Sequence, residues 1–381
     1  MLKPNSMITS EMIFNALRGV QDPDLKKDLV TLNMIRDLAV TPDGQVNFRV
    51  VLTTPACPLK AKIESDCRVA VLAVAGVKAV SIKMDAEVRR MGGAGKQVSG
   101  QGGGVQQIAG VEHIIAVSSG KGGVGKSTVA VNLAVSLALE GARVGLMDAD
   151  IYGPNIPTMM GVTEEPVLEK DPVKGEVFIP PTAHGVKVMS MGFLVKDDQP
   201  MAWRGPMLHS VVSQFCHKVN WGSLDYLIVD MPPGTGDVQL SLSQLVPVAG
   251  TVVVSTPQEV SQQDVRKAIH MFEKVRIPII GIVENMSYFV VEGTQEKHTI
   301  FGTGGGEKLA RKFNTELLTQ IPLVQKVREG GDEGRPIVVK DPESPVANIF
   351  RELARKVAQK TSILANEAVS PSQFVQIGKF N

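Results

Sequence analysis

Val117–Thr128 reads VSSGKGGVGKST, four glycines and two lysines in twelve residues, placed directly after the apolar run HIIA. Within it Gly120–Ser127 matches G-x-x-x-x-G-K-S, the phosphate-binding P-loop spacing. Residues with so little side chain let backbone N–H groups close around phosphate oxygens. The preceding EHIIAVSS has the apolar density of a buried strand, and KSTVAVNLAVSLALEG that of a helix stopped by Gly141. Strand, loop and helix in this order predict a nucleotide site, because the helix start adds unpaired N–H groups and the positive end of its dipole. The expected nucleotide contacts are Gly120, Lys121, Gly122, Gly123, Val124, Gly125, Lys126, Ser127 and Thr128. Lys126 is placed to reach the β- and γ-phosphates, and the Ser127 hydroxyl to bind Mg²⁺.

Three further segments suit the same chemistry. Asp230 ends the apolar run DYLIVD, so its carboxylate is expected at a strand's carboxyl end, helping to hold Mg²⁺ directly or through water. The PPGTGD that follows offers the backbone N–H of Gly234 or Gly236 to a γ-phosphate. Asp148 and Asp150 end VGLMDAD; Asp150 is the choice for orienting an attacking water, and Asp148 is an alternative for that role or an acid fixing the Mg²⁺ shell. Asn285, at the end of GIVEN, either bonds a purine edge or caps its strand.

Outside these motifs the chain is ordinary. Its 381 residues are 43% hydrophobic and 21% charged, with net charge +1, enough for two or three domains. That charge, with only 4% aromatics, argues against a nucleic-acid binder. No apolar run reaches the ~20 residues needed to span a bilayer, and the N-terminus shows no signal-peptide pattern. Three cysteines make no secreted disulfide framework, and a reducing, cytoplasmic setting is expected.

Met91–Gly110 carries eight glycines and reads as a flexible linker. Before it, residues 1–90 predict a small α+β domain. ITSEMIFNALRGV is a helix capped by Thr9 or Ser10, and two strands meet at Pro42-Asp43-Gly44. The helix PLKAKIESDCRVAVLAV and the strand VKAVSIKM complete it. After the linker, ARVGLMDAD, DYLIVDMPP, GTVVVSTP and PIIGIVENM are near-continuous apolar runs alternating with helices. Residues 111–368 are therefore expected to form a doubly wound α/β domain around a mostly parallel sheet, with ligands beyond the strands' carboxyl ends. The last clear helix pattern is PVANIFRELARKVAQK, followed by Thr361–Asn381, with the tail proper assigned to 369–381.

The early lysine adds a resemblance. K-G-G-x-G-K-[ST] resembles the deviant Walker A of the group that includes MinD, ParA and the nitrogenase iron protein. That implies that Lys121 reaches across a homodimer to the partner's nucleotide. DADIYGPNIPTMMG, MAWRGPM, LDYLIVDMPPGTGD, TPQEVSQQDVRKAIHMFEKV, GIVENMS and IFGTGGGEKLA together resemble the Mrp (ApbC) family of iron–sulfur cluster carrier ATPases. The first 90 residues resemble the small domain often fused to them. This implies ATP and Mg²⁺ as ligands, a [4Fe–4S] cluster as cargo, and scaffold and recipient apo-proteins as partners, with no nucleic acid and no membrane. A MinD- or ParA-like spatial organiser is the alternative. One departure stands out: where the family has C-x-x-C, this chain has Val291 and Thr294, neither of which is a thiolate ligand.

The remaining thiols are Cys57, Cys67 and Cys216. Cys216 and Cys67 read as small core hydrophobes. Cys57, between TTPA and Pro58, is expected to be exposed at a helix start with a lowered pKa, and is the choice for a cluster ligand. Cys67 would lie about 15 Å further along the helix axis. His298, in the altered segment, is a weaker substitute ligand.

Overall fold

The computed structural model describes residues 8–88, 105–150, 153–172, 175–193, 205–234, 236–291, 293–294 and 296–369. The linker expected over 91–110 lies outside them apart from 105–110, and the tail expected over 369–381 apart from its first residue. Two compact units result, one of Met1–Gly93 with Ala358–Asn381 and one of Ala94–Val357.

The small unit is built on simple periodicities. Helix α1 (Ser10–Leu17) buries Ile13 and Leu17, one turn apart. Its cap is Thr9, whose hydroxyl accepts the Met12 N–H at 3.3 Å and so satisfies one orphan donor of the first turn. Strands β1 (Ile35–Val40) and β2 (Gln45–Leu52) pair antiparallel. Gly44 turns the chain between them at φ 88°. Helix α2 (Lys60–Leu72) buries Ile63, Cys67 and Val71 at i, i+4 and i+8. These side chains pack on Val46, Phe48 and Val50, the alternate inward positions of β2. Strand β3 (Ala79–Ala86) joins β2 in parallel.

In the large unit a seven-stranded parallel sheet carries a short antiparallel strand, Thr182–Ala183, at one edge. In chain order its strands are β4 (Val111–Ser119), β5 (Val144–Asp148), β6 (Val186–Ser190), β7 (Leu224–Asp230), β8 (Val248–Ser255), β9 (Ile279–Glu284) and β10 (Leu317–Gln320). In space the order is β6-β5-β7-β4-β8-β9-β10. The central strands β5, β7 and β8 are buried along their whole length, as the two covered faces of a parallel sheet require. Helix α3 (Lys126–Leu139) is buried on nearly every side and packs on β4, β5 and β7. Further helices are α4 (Ile156–Met160), α5 (Gly205–His217), α6 (Asp237–Leu245), α7 (Glu259–Lys274), α8 (Gly305–Lys312), α9 (Gln325–Asp332) and α10 (Ile337–Lys340). This is the doubly wound α/β fold expected of the motifs.

The last helix, α11 (Pro345–Val369), runs on past Lys360, where the helical pattern read from sequence stops. Its later residues keep the buried spacing: Thr361, Ser362 and Ala365 are all buried. From Ala358 onward it groups with the small unit. There Gln359 Nε2 donates to Asp24 Oδ1 at 2.6 Å, and Ser362 Oγ to the Thr53 carbonyl at 3.4 Å. Among the described residues no helix is long and apolar enough to cross a membrane.

Trp221 anchors one face of the large sheet. It is 1% exposed, donates its indole N–H to the Phe215 carbonyl at 2.9 Å, and lies over Gly145 of β5, where a Cβ would stand 2.9 Å from ring carbons. Trp221→Ala is expected to destabilise the large unit by about 3–5 kcal/mol. Urea unfolding followed by far-ultraviolet circular dichroism should show a lower midpoint at unchanged slope; a wild-type midpoint would remove Trp221 from this role.

Candidate nucleotide site

The loop leaves β4 after Ser119 and enters α3 at Lys126. Gly123 and Gly125 hold φ of 78° and 80°, a region where side-chained residues are strained. A Cβ at Gly122 or Gly123 would meet nothing within 4 Å, so this arc faces open space. Gly120 does the opposite: a Cβ there would stand 2.2 Å from the Val265 amide nitrogen of α7. The loop is thus pressed onto α7 on one side and open on the other, where it borders a cavity of about 500 Å³.

Lys126 is nearly buried. Its Nζ lies 2.6 Å from Asp230 Oδ1, 3.3 Å from Ser127 Oγ and 3.7 Å from Asp150 Oδ2. Ser127 Oγ donates to the other Asp230 oxygen at 2.6 Å. Sheet register brings this about: Asp230 is paired with Val117 on one side and Asp148 on the other, so three strand ends align beneath the loop. A hydroxyl and a carboxylate converging in this way are the hard oxygen donors that Mg²⁺ takes. Together with the glycine arc and the cavity, they fit a Mg²⁺–nucleotide.

Asp148 and Asp150 separate in role. Asp150 lines the cavity. Asp148 is fully buried beneath it and accepts from Ser190 Oγ at 2.8 Å, the Asp150 N–H at 3.1 Å and the Ile156 N–H at 3.4 Å. Its bonds hold the backbone of Asp150 and the start of α4. Burial pushes the Asp148 carboxyl up, and the Asp230 charge beside it pushes it further. Burial also raises Asp230, against the pull of Lys126.

Of the two glycine N–H groups considered for a γ-phosphate, that of Gly234 donates to the Ser119 carbonyl at 2.9 Å. Gly236 stands at the N-cap of α6. Asn285 is buried and donates its amide to the Val124 carbonyl at 2.8 Å, so in this structure it braces the P-loop itself. Lys121 lines the mouth of the cavity with Thr128, and among the described residues no carboxylate pairs with its ammonium.

The far wall escaped the sequence reading. Ile321, Pro322, Leu323 and Val324 follow β10, and Val327 and Arg328 of α9 continue them. This apolar slot beside Asn285 suits a flat base. Its signal was QIPLV, an apolar run leaving a strand's carboxyl end.

The cluster-ligand expectations fare differently. Val291 and Thr294 meet in one turn, with the Thr294 N–H and hydroxyl donating to the Val291 carbonyl at 3.1 and 3.0 Å. The turn belongs to a hairpin of Phe289–Val290 and Lys297–His298. His298 there is exposed and 3.5 Å from Glu296. Cys67 and Cys216 are core residues, as expected. Cys57 corrects the sequence reading of its surroundings: it is half-buried rather than exposed. Burial pushes its thiol up to about 11, with Asp24 and Asp22 raising it further and the Leu59 and Lys60 N–H groups only partly offsetting this. The thiol packs against the small unit's core, and desolvation there outweighs the helix-start amides. Among the described residues no three His, Cys, Asp or Glu gather in a metal-holding group.

Comparison with known proteins matches both units. Residues 110–358 match the NUBPL iron-transfer P-loop NTPase family, and residues 10–83 an iron-sulfur cluster assembly protein domain. An iron-sulfur cluster carrier protein of Synechocystis is 51% identical over 360 residues, covering 94% of this chain and 99% of its own. The carrier protein of Escherichia coli is 45% identical over 349 residues, 91% of each chain. A chloroplastic Fe-S cluster assembly factor of Arabidopsis thaliana is 42% identical over 354 residues, covering 92% of this chain and 64% of its own. Among solved structures, a nucleotide-binding protein of Archaeoglobus fulgidus in complex with ADP superposes with a TM-score of 0.55 at 38% identity, over 64% of this chain and 94% of that one. With the P-loop site in its large unit and the assembly-type domain before it, the chain belongs to the iron-sulfur cluster carrier family of NUBPL iron-transfer P-loop NTPases.

Proposed function

We propose that this protein is an ATP-dependent carrier that hydrolyses ATP as a homodimer and delivers iron–sulfur clusters, of the [4Fe–4S] class, to recipient apo-proteins in the cytoplasm. The observation that carries the ATPase reading is the convergence of Ser127, Asp230 and Asp150 within 4 Å of the Lys126 ammonium, beside a glycine-lined cavity. In hydrolysis a water oxygen bonds to the γ-phosphorus and the bond to the β,γ-bridging oxygen breaks, leaving ADP and phosphate. Asp150 accepts a hydrogen bond from that water and orients it. Lys126 holds the β- and γ-phosphate oxygens, and Ser127 and Asp230 hold Mg²⁺. Bound Mg²⁺ neutralises the phosphate charge. Asp148, which bonds the Asp150 N–H, fixes the water-orienting residue from below. Lys121 acts on the partner's nucleotide, where charge builds between two protomers and a second cation is worth most.

Cys57 is the proposed cargo ligand of the small unit, completed by a second chain, a recipient or a small thiol, since a [4Fe–4S] cluster takes four thiolates. With its pKa at about 11 it is a thiol at neutral pH, and iron must displace the proton to bind. Burial thus protects the thiol between loadings.

Mutation separates the lysines. Lys126→Ala should lose nucleotide binding, whereas Lys121→Ala should bind nucleotide but hydrolyse it about 10³-fold more slowly. Wild-type turnover by Lys121→Ala would contradict the trans role. Asp150→Ala should accumulate bound ATP; unchanged turnover would move the water-orienting role to another residue.

Cys57 is tested by anaerobic reconstitution. Cys57→Ser should lose cluster loading and Cys67→Ser should keep it; full loading of Cys57→Ser would refute the assignment. In the native apo-chain, iodoacetamide labelling of Cys57 followed by mass spectrometry should keep rising with pH to about 11. A plateau near pH 8.5, the ordinary thiol range, would show that burial does not control it.

A further inference from the structure

Glu284, the last residue of β9, is a carboxylate with 0% exposure and no part in the chemistry above. A buried carboxylate is costly unless donors surround it, and three converge here. Ser287 Oγ donates to Oε1 at 2.5 Å, Gln320 Nε2 to the same oxygen at 2.9 Å, and the Gly306 N–H to Oε2 at 2.6 Å. Gly306 lies in the first turn of α8, so the carboxylate also meets the positive end of that helix. A Cβ at Gly306 would stand 3.0 Å from Glu284 Cβ and 2.8 Å from Leu317, so the approach needs glycine.

The three donors come from three different parts of the unit. Ser287 opens the stretch that leads into the exposed hairpin, and Gly306 closes it, so both ends of that stretch are tied to one side chain. Gln320 precedes Ile321–Val324, the apolar wall of the nucleotide cavity. The backbone carries the connection further: Asn285, next in the chain, holds the P-loop carbonyl of Val124 at 2.8 Å. The Ile321 N–H donates to the Glu284 carbonyl at 2.8 Å, and the Ser287 N–H to the Ile321 carbonyl at 2.9 Å. None of residues 288–291 or 296–304 lines the cavity, yet both flanks of the stretch are tied to the carboxylate that also holds Gln320 beside its wall, and the Leu323 N–H of that wall donates to the Tyr288 carbonyl at 2.7 Å.

We propose that Glu284 is a positioning residue that couples the nucleotide cavity to the exposed stretch of residues 288–291 and 296–304. The inference rests on the nucleotide site proposed above. Nucleotide bound between Asn285 and the Ile321–Val324 wall tightens the two elements that Glu284 joins, and the hairpin's flanks tighten with them. By thermodynamic reciprocity, a partner that shifts the hairpin changes nucleotide affinity by the same factor.

Hydrogen exchange on the full chain, with and without saturating Mg²⁺–ADP, tests this. In the wild type, ADP should slow exchange in peptides from 288–291 and 296–304 as well as in the P-loop. In Glu284→Gln, which places an amide donor against donors, the P-loop should still respond at saturating ADP and the hairpin peptides should not. Affinity for ADP should fall about tenfold. Ser287→Ala, which removes one donor and lies outside the cavity, should reduce the hairpin response while leaving ADP affinity within about twofold; it serves if Glu284→Gln fails to fold. If wild-type chain does not bind ADP, the nucleotide reading fails. If it binds ADP and the wild-type hairpin peptides do not respond, or both variants respond as the wild type does, the coupling role of Glu284 is overturned.

Discussion

The ion pair between Lys126 and Asp230, 104 positions apart and 2.6 Å apart in space, is the constraint on which the large unit depends. Both groups are nearly or fully buried. Either charge left alone there would cost on the order of 3–5 kcal/mol, so the fold must deliver both. That requires β4 and β7 to be parallel neighbours in the register that sets Val117 beside Asp230. It also requires the chain after β4 to turn sharply enough for α3 to start directly over the strand ends, which the left-handed glycines allow. The Ser127 bond to the second Asp230 oxygen completes a cation, a hydroxyl and a carboxylate set within hydrogen-bonding distance of one another.

Much of this was legible in the sequence because it depends on local signals. Parallel strands buried on both faces must be apolar throughout, so VGLMD, LDYLIVD and VAGTVVVS identify themselves. The glycine spacing of residues 120–125 reports backbone geometry directly. The position of Asp230 was readable because it ends an apolar strand. Asp148 ends the same strand as Asp150 begins to leave it, and nothing in DAD says which carboxylate faces the cavity. The answer lies with Ser190, 42 positions away, which claims Asp148.

What stayed illegible depends on distant contacts. The exposure of Cys57 was read from its neighbours TTPA and Pro58, but the small unit's core decides it, and desolvation there reverses the expected pKa shift. Asn285 offered two readings, and the structure adds a third: the amide meets Val124, 161 positions away. Glu284 looked like one more residue of GIVEN until three donors from Ser287, Gly306 and Gln320 converged on it. Likewise α11 outruns its evident pattern because Thr361 and Ser362 are buried by the small unit's side of the helix.

The two units are equipped differently: the large one holds the P-loop and its glycine-lined cavity, and the small one holds Cys57, half-buried against its core. Val291 and Thr294, which stand where the resembling family has cysteines, are joined here by the Thr294 hydroxyl donating to the Val291 carbonyl, so neither position offers a thiolate. Transfer of cluster from anaerobically loaded protein to an apo-ferredoxin, followed by circular dichroism of the acceptor, tests the account most directly. ATP with Mg²⁺ should accelerate transfer, and a non-hydrolysable analogue should not sustain the acceleration. Equal transfer rates with and without ATP would contradict it.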